Sequence, residues 1–483
     1  MNLVEIIILN RSVPTIKDCC NLGGYLTFLE ESMGKEYLKY KRYAHFDKKM
    51  SVKKAKRLLK CDDTIKEHGF FPFIHYSIES KKLETVNNKV YAKKEPKKRE
   101  IYYCAHMDRY IYQHYAHILG LKYNEYMVKN DIDRCSGAYR IERGKCNIDF
   151  SHEVFEFIKE KEEAVVIIGD FTKFFDNLDH KKLKNRIEKI LSSKIDDNLY
   201  KVFKSLTKFN YVNIEDLYDY YTVKNNKRCE KYYMRKLDTL MSIDEFKKFI
   251  NGNNTKTNEK YLKENKNSYG IVQGSPLSGL LANIYMIEFD KEMNELAMAN
   301  NGLYLRYSDD FILVLDNNDN EKIQQIYQKI QSNVNEAKQI SLEEKKTNIY
   351  RYKESRIECL NNEIFMTENV PNIINFLGFS FDGSKITIRS KTMSKYYYKM
   401  TRKIKKYIKG KNGITIKDIY NKFSLQGENK KNSGGNKGNF ITYVKRAEMA
   451  FKNEDSIKSV RTNSKKKVTE KIGTITKKEQ LNK

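Results

Sequence analysis

The chain has 483 residues and a net charge of +28, with 91 Lys and Arg against 63 Asp and Glu. This length can bury a large core and predicts two or three lobes, and the basic charge favours nucleic acid as a partner. Because no Cys-x2-Cys pair and no apolar run of 18 residues is present, we expect a reduced cytoplasmic protein without a zinc ribbon, disulfide framework or membrane partner.

The first 89 residues form an N-terminal extension that carries no motif. Apolar residues recur at helical spacing around Leu26–Tyr43 and Val52–Leu59, which predicts helices there. A basic run follows at residues 93–99 and ends in Lys98 and Arg99. For each lysine of this run, a solvated surface charge is the simpler interpretation.

A short apolar run, Ala164–Ile168, is bounded by Gly169 and predicts a buried strand with Asp170 at its end. Asp170 is a candidate metal ligand, and the alternative is that it caps the helix that follows. Asp176 and Asp179 are expected to serve structure, as acids in the first turn of a helix or as ion-pair partners.

The sequence pattern of residues 181–268 predicts a long helical insertion. It leads to Gln-Gly-Ser-Pro at 273–276, which reads as a turn that feeds an apolar helix. Ser275 is expected to be the N-cap and Pro276 the first helical residue. Small residues at 274, 275, 278 and 279 would let a backbone or a nucleotide approach closely.

The most informative feature is an Arg-Tyr-Ser-Asp-Asp sequence that ends at Asp310, between the apolar runs Leu303–Leu305 and Phe311–Leu315. The pattern predicts a β-hairpin with Asp309 and Asp310 at its tip. Paired carboxylates suit a divalent metal, whereas an ordinary polar turn is the alternative. A carboxylate such as Asp170 facing this tip would give the geometry for two metal ions.

The positive charge is concentrated at the end of the chain. Residues 391–483 carry 26 Lys and Arg against 7 Asp and Glu, a net +19, whereas the first 390 residues carry +9. A phosphate backbone is the natural partner of such a basic arm. Tyrosines interleave with Lys395, Arg402 and Lys403, so a helix there could place a basic stripe on the minor groove of an A-form duplex. The alternative is an amphipathic helix that packs its tyrosines inward.

The order of three elements resembles the palm of a reverse transcriptase: Asp170-x4-Phe-Asp, then Gln-Gly-Ser-Pro-Leu-Ser, then Tyr-Ser-Asp-Asp. It is most similar to the bacterial lineage of group II intron, retron and defence-associated or abortive-infection enzymes, over about residues 90–390. Further matches in the same order are Lys98-Arg99 with Asp108-Arg109, Tyr139-Arg140 with Gly144-Lys145 and Asn147-Ile148, Glu344–Thr347, Phe376–Phe379 and, more weakly, Asn439–Val444.

The resemblance implies an α+β right-hand polymerase, with an antiparallel sheet in the palm and a helical thumb. The implied domains are the N-terminal extension at 1–89, fingers at 90–160, palm at 161–388 including the insertion 181–268, thumb at 389–455 with a flexible tip at 427–439, and a basic, disordered tail at 456–483.

The resemblance also implies a metal site. Asp170, Asp309 and Asp310 would be catalytic and, together with Phe171, would bind two Mg²⁺ ions, with Mn²⁺ as an alternative. Asp310 completes the acidic tip but is often less directly coordinated in the family.

Nucleotide and nucleic-acid contacts follow from the same resemblance. Arg99, with Lys98, would bind the triphosphate, because a guanidinium suits bidentate phosphate contact. Phe175 would exclude a 2′-hydroxyl, Gln273 would contact nucleotide or template, and Lys346 could protonate the departing pyrophosphate. Further nucleic-acid contacts are assigned to Ser275, Pro276, Gly378, Lys395, Arg402 and Lys403.

The implied function is RNA-directed DNA synthesis from dNTPs, giving cDNA on a dedicated non-coding RNA in bacterial anti-phage defence. No Cys/His endonuclease pattern, no RNase H carboxylate set and no Val-Thr-Gly thumb signature follows the palm, which favours a stand-alone defence-associated enzyme. Two alternatives stay open: template-independent or protein-primed DNA synthesis by the same palm, and a catalytically idle RNA-binding scaffold. A homo-oligomer also stays open.

Overall fold

The structure is a computed structural model that describes residues 37–80, 83–86, 89–92, 97–140, 143–225, 237–316, 319–336, 340–368, 370–410, 413–428, 438–452 and 454–481. Its strands are β1 (Phe73–Ser80), β2 (Leu83–Val86), β3 (Lys89–Ala92), β4 (Lys97–Tyr103), β5 (Glu163–Asp170), β6 (Asn210–Asn213), β7 (Lys263–Glu264), β8 (Leu303–Tyr307), β9 (Asp310–Asp316), β10 (Asn348–Lys353), β11 (Arg356–Cys359), β12 (Ile374–Phe376), β13 (Phe379–Phe381) and β14 (Ile386–Ile388).

The α-helices are α1 (Val52–Leu59), α2 (Asp62–Glu67), α3 (His106–Lys129), α4 (Asn147–Lys159), α5 (His180–Leu191), α6 (Asp197–Thr207), α7 (Ile214–Asn225), α8 (Ile243–Asn251), α9 (Ser278–Tyr285), α10 (Ile287–Met298), α11 (Asn320–Glu336), α12 (Asn361–Phe365), α13 (Ser390–Ile408), α14 (Ile416–Phe423), α15 (Phe440–Ala450), α16 (Asp455–Thr462) and α17 (Ser464–Leu481). In the described part of the chain, no helix is both long and apolar enough to cross a membrane. Helices and mainly antiparallel sheets confirm the predicted α+β class.

The N-terminal helix predictions have different outcomes. Helix α1 is confirmed at Val52–Leu59, where the Ser51 hydroxyl accepts a hydrogen bond from the amide of Lys54. The other predicted helix, Leu26–Tyr43, lies outside the described residues up to residue 36. Its last part, residues 37–43, is not helical.

The described residues fall into two compact units. The first comprises those of Met1–Asn130 and Lys173–Ile287, and the second those of Asp131–Thr172 and Glu288–Lys483. The division does not follow the fingers and palm boundaries expected from the sequence, because residues 131–160 belong to the same unit as β5, β8 and β9. The predicted boundaries of the fingers and palm stay a prediction.

The first unit is built on a four-stranded sheet in the order β4-β1-β6-β7. Strand β1 pairs antiparallel with β4 and parallel with β6. The insertion at 181–268 is thus not purely helical, because it supplies β6 and β7 to this sheet. Helix α3 is buried on several faces and packs against α5, α6 and α9, as expected for a helix that is rich in apolar and aromatic residues all round.

The second unit contains a five-stranded antiparallel sheet in the order β11-β10-β5-β9-β8. The predicted strand at Ala164–Ile168 is confirmed as the centre of β5, where Ala164 to Ile167 are fully buried. The predicted hairpin is confirmed as β8 and β9. Helix α4 packs its apolar side chains against one face of this sheet and against the three-stranded sheet β12-β13-β14.

Residues 456–481 are helical, so the expectation of a disordered tail is wrong for them. Helices α16 and α17 cover most of this range, and Val468 and Ile475 of α17 are buried in a core with Met400 and Ile404 of α13. The low apolar content concealed an amphipathic pattern, because a few apolar residues at helical spacing are enough to dock a helix. The predicted flexible tip lies largely outside the described residues, at 429–437.

Candidate active site

The pairing of β5 with β9 brings three carboxylates together. Asp170, the last residue of β5, lies opposite Asp310, the first residue of β9, and Asp309 precedes it in the turn. The amide of Phe171 donates a hydrogen bond of 3.0 Å to the carbonyl of Asp309. This bond fixes the hairpin turn to the end of β5, so the acidic side chains from two distant stretches of the chain share one site.

The negative charges of the three carboxylates repel one another. The pKa of Asp310 is raised to about 7, mainly by burial and then by the negative charges of Asp309 and Asp170, while Lys346 acts in the opposite direction. The ammonium of Lys346 lies 2.8 Å from a carboxylate oxygen of Asp170. Since like charges this close disfavour ionisation unless a cation compensates them, the site is suited to positive charge.

The donor set fits Mg²⁺, which binds one or two carboxylates and completes its shell with water and substrate phosphates. Within the described ranges, no ready-made group of three His, Cys, Asp or Glu metal ligands is present. Asp170 and Asp309 would supply the protein ligands, with nucleotide and water completing the shell. The ring of Phe171 is buried against Phe289 and Phe311, so only its backbone carbonyl could join them.

Two side chains at the hairpin were not assigned to the site by the sequence analysis. The hydroxyl of Tyr139 lies 3.0 Å from that of Ser308, and the guanidinium of Arg306 donates a 3.0 Å hydrogen bond to the carbonyl of Ser308. Ser308 adopts a left-handed conformation with φ of 64°. For Arg306, the available signal was a charged residue directly after the apolar run Leu303–Leu305.

In the first unit, the loop that contains Gln273 makes backbone hydrogen bonds to Phe175 and to β4. Phe175 and Gln273 are both nucleotide-binding candidates. The amide of Ile271 donates to the carbonyl of Phe175, and the amide of Tyr102 in β4 donates to the carbonyl of Gln273, both at 2.9 Å. Gly274 has φ of 129°, and a Cβ atom there would overlap the carbonyl of Tyr102. Glycine is therefore required for this loop to lie against β4.

The other candidates of the first unit lie on β4 and at the start of α9. Lys98 and Arg99 are exposed on β4. Ser275 is not the N-cap of the helix, because α9 begins at Ser278 after Leu277. The Ser275 hydroxyl instead accepts a hydrogen bond from the amide of Leu277, in a tight turn that competes with capping. Pro276 lies in this turn and not at the first helical position.

The sequence left two roles open for Asp170, a metal ligand or the cap of the next helix, and predicted a structural role for Asp179. Asp170 does not cap the next helix, because Asp179 does so: its carboxylate accepts a 2.8 Å hydrogen bond from the amide of Lys182. Asp179 thus has a structural role, as expected, but as the N-cap of α5 and not as an acid in the first turn.

Gly378 lies in a tight turn between β12 and β13, with φ of 98°. The side-chain amide of Asn147 donates to the carbonyl of Leu377 at 2.8 Å and to the hydroxyl of Tyr443 at 3.1 Å. Two segments distant in sequence therefore hold this turn in place.

The three basic candidates on helix α13 have different surroundings. Lys395 and Arg402 are exposed, and the Arg402 guanidinium lies 5.6 Å from the ring centre of Tyr398. The ammonium of Lys403 donates instead to the carbonyl of Asp418 in α14. Of the three candidates, Lys395 and Arg402 are therefore exposed, whereas Lys403 contacts α14.

A family model described as "Reverse transcriptase (RNA-dependent DNA polymerase)" matches residues 204–381. Residues 204–381 are therefore similar to a reverse transcriptase domain. The matched segment contains the Gln-Gly-Ser-Pro loop, the Asp309–Asp310 hairpin and the turn at Gly378, while Asp170 lies upstream of it. The family is described as RNA-dependent DNA polymerases, and the match agrees with the α+β architecture.

Similarity to solved structures is weak in sequence and in superposition. A truncated apo telomerase from Candida tropicalis has 15% identity and a TM-score of 0.39, over 65% of this chain and 57% of the telomerase chain. A Candida albicans telomerase in complex with a TWJ fragment of telomeric RNA has 14% identity and a TM-score of 0.38, over 80% of this chain and 55% of its own. No curated protein matches the chain.

Proposed function

We propose that this protein extends a nucleic-acid primer with dNTPs on an RNA template. The observation that supports the proposal is the convergence of Asp170, Asp309 and Asp310 at the end of β5 and the β8–β9 turn. Two Mg²⁺ ions bound there would activate the primer 3′-hydroxyl and neutralise charge on the triphosphate. Mn²⁺ would serve the same role.

The chain's own residues would bind and orient the reactants. The 3′-oxygen forms a bond to the α-phosphorus, the α–β anhydride bond breaks, the hydroxyl proton leaves and the pyrophosphate takes up a proton. Lys346 is the proposed donor of that proton, and its ammonium already lies at the acidic site, 2.8 Å from Asp170. Arg99 and Lys98 would bind the triphosphate.

Substitution of Asp309 tests the proposed reaction. The Asp309→Asn protein should lose Mg²⁺-dependent dNTP incorporation by at least about a hundredfold, because one charge of the metal site is removed. Asp316→Asn is the matched control, since Asp316 lies at the other end of β9 and pairs with Lys161. Full incorporation by Asp309→Asn would contradict the proposal.

Phe175 is proposed to select deoxynucleotides. Its side chain is half-buried and contacts Phe174. Phe175→Ala should raise NTP relative to dNTP incorporation, whereas Phe175→Tyr, which keeps the bulk, should not. Equal use of NTPs and dNTPs by the wild-type protein would contradict this role.

We further propose that the chain belongs to the bacterial defence-associated lineage and copies a dedicated non-coding RNA. The basic end of the chain, with Lys395 and Arg402 exposed on α13, supports an RNA partner. Sequencing the RNA and DNA that co-purify with the protein tests this, and a random mixture of cellular RNAs would count against it. If Asp309→Asn retained full protection against phage, an idle RNA-binding scaffold would be the better account.

A second candidate is protein-primed DNA synthesis at the same site. It is favoured by the hydroxyl of Tyr139, which is half-exposed and lies at the catalytic turn, 3.0 Å from the Ser308 hydroxyl. DNA that stays on the protein after denaturation and phenol extraction, and that is lost in Tyr139→Phe, would support it. Products with free 5′ ends would exclude it.

A further inference from the structure

A fully buried ion pair lies directly behind the acidic hairpin. Arg306 of β8 and Asp290 of α10 have no exposed side-chain surface. The guanidinium makes a two-pronged contact, with Nε 2.7 Å from Oδ1 and one terminal nitrogen 2.6 Å from Oδ2 of Asp290. The hydroxyl of Tyr304 donates a third hydrogen bond to Asp290, of 2.8 Å, and burial keeps this phenol protonated by raising its pKa.

The second terminal nitrogen of Arg306 is directed at the hairpin turn. It donates a 3.0 Å hydrogen bond to the carbonyl of Ser308, the residue before Asp309. The backbone of Arg306 is held as well, since its carbonyl accepts a 2.9 Å hydrogen bond from the amide of Gly137. Arg306 therefore connects a rigid part of the core to the residue that precedes the catalytic carboxylates.

The turn needs such a support. Ser308 has φ of 64°, and a non-glycine residue in this region costs about 1–3 kcal/mol unless its surroundings hold it there. A buried ion pair is poorly explained by stability alone, because apolar residues of similar size are often as stabilising or more so. What apolar residues cannot supply is a fixed N–H group directed at the Ser308 carbonyl.

We propose that Arg306 and Asp290 are positioning residues, which hold the Ser308–Asp309 turn in the conformation that binds metal. Asp290 orients the guanidinium, and the guanidinium fixes the turn. Neither residue contacts substrate. The inference rests on the proposed two-metal reaction and adds to it the element that preorganises the acidic residues.

The test measures metal binding by the full chain without nucleotide, from the electron paramagnetic resonance signal of free Mn²⁺. Wild-type protein should bind Mn²⁺ at a site that is lost in Asp309→Asn. Arg306→Lys should raise the Kd for this site about tenfold, because a lysine keeps the charge but cannot reach both Asp290 and the Ser308 carbonyl. Arg461→Lys is the matched control: Arg461 pairs with Glu428 and Glu448, and its substitution should leave the Kd unchanged.

A paired variant covers the case in which Arg306→Lys does not fold. Arg306→Met with Asp290→Leu removes both charges, so that no unpaired buried charge remains. A folded paired variant, judged by circular dichroism and cooperative melting, should show the same tenfold rise in Kd. Wild-type affinity in that folded variant would overturn the proposal. A paired variant that does not fold would overturn it too, because the pair would then serve stability.

Kinetics separate this inference from the proposed function. Arg306→Lys should incorporate dNTPs about tenfold more slowly at low Mg²⁺ and recover at saturating Mg²⁺, with an unchanged KM for dNTP. If wild-type protein binds Mn²⁺ at Asp309 but incorporates no dNTP, the proposed function fails and the positioning role stands. If wild-type protein is active and Arg306→Lys matches it at every Mg²⁺ concentration, the positioning role alone fails.

Discussion

Gly169→Ala should destabilise the sheet that carries Asp170 and Asp310, the proposed catalytic residues. Gly169 precedes Asp170 on β5 and lies opposite Phe311 on β9. A Cβ atom at this position would overlap Cε1 and Cζ of the Phe311 ring. The ring has little room to move, because Phe171 and Phe289 pack on it with ring centres 5.6 and 5.9 Å away.

The magnitude follows from the cost of overpacking a core, which is about 1–3 kcal/mol. We expect a value near the upper end, about 3 kcal/mol, because the overlapping atoms belong to a ring held by its neighbours. Hydrogen exchange of the β5 and β9 amides measures this loss locally. Polymerase activity should fall as well, since any displacement of β5 moves Asp170.

Two further variants test whether the clash with Phe311 causes the loss of stability. Phe311→Leu removes the clashing atoms, so the double variant with Gly169→Ala should be more stable than the sum of the two single changes by about 1 kcal/mol or more. Gly473→Ala is the control: it lies in α17 with no neighbouring atom within 4 Å and should stabilise the helix by about 1 kcal/mol. Wild-type stability and activity in Gly169→Ala would refute the account.

Two other predictions concern stability. Burial lowers the pKa of His45 to about 3 and that of His114 to about 4. The unfolded chain therefore takes up these protons first, and stability present above pH 6.5 is lost as the pH falls. Acidification from pH 7 to 5 should cost about 4 kcal/mol in all, seen as lower protection factors of the α3 amides once exchange is corrected for the intrinsic rate at each pH; unchanged protection factors would contradict it. Asn147→Ala should destabilise the turn at Gly378 by about 1–3 kcal/mol, through two lost hydrogen bonds, measured as faster exchange in β12 and β13. Protection equal to the wild type there would contradict it.

The parts of the site that follow from local pattern were predictable from the sequence. The apolar run before Gly169 and the two apolar runs around the acidic turn predict strands, because their length and boundaries suit buried β-structure. The structure has both features as predicted. The convergence of their carboxylates was an inference from the resemblance, and the strand register now gives its physical basis.

The rest depends on pairings that no local pattern encodes. Nothing near Asp290 marks it as the partner of Arg306, because the two lie on different elements and meet only in the folded core. Strand β6 lies between α6, which ends at Thr207, and α7, which begins at Ile214, and its pairing with β1 spans more than a hundred residues. The Ser275 hydroxyl accepts a hydrogen bond from the amide of Leu277 in a tight turn and does not cap the helix. Such local side-chain bonds compete with helix capping.

The proposed function requires that the end of β5 and the β8–β9 turn bind divalent metal. Iron-mediated cleavage tests it most directly: Fe²⁺ replaces Mg²⁺, and ascorbate with peroxide then cuts the backbone near the bound ion. We predict cuts close to Asp170 and close to Asp309, both suppressed by excess Mg²⁺ and both absent in Asp309→Asn. Cleavage at neither position, or cuts that Mg²⁺ does not suppress, would contradict the claim.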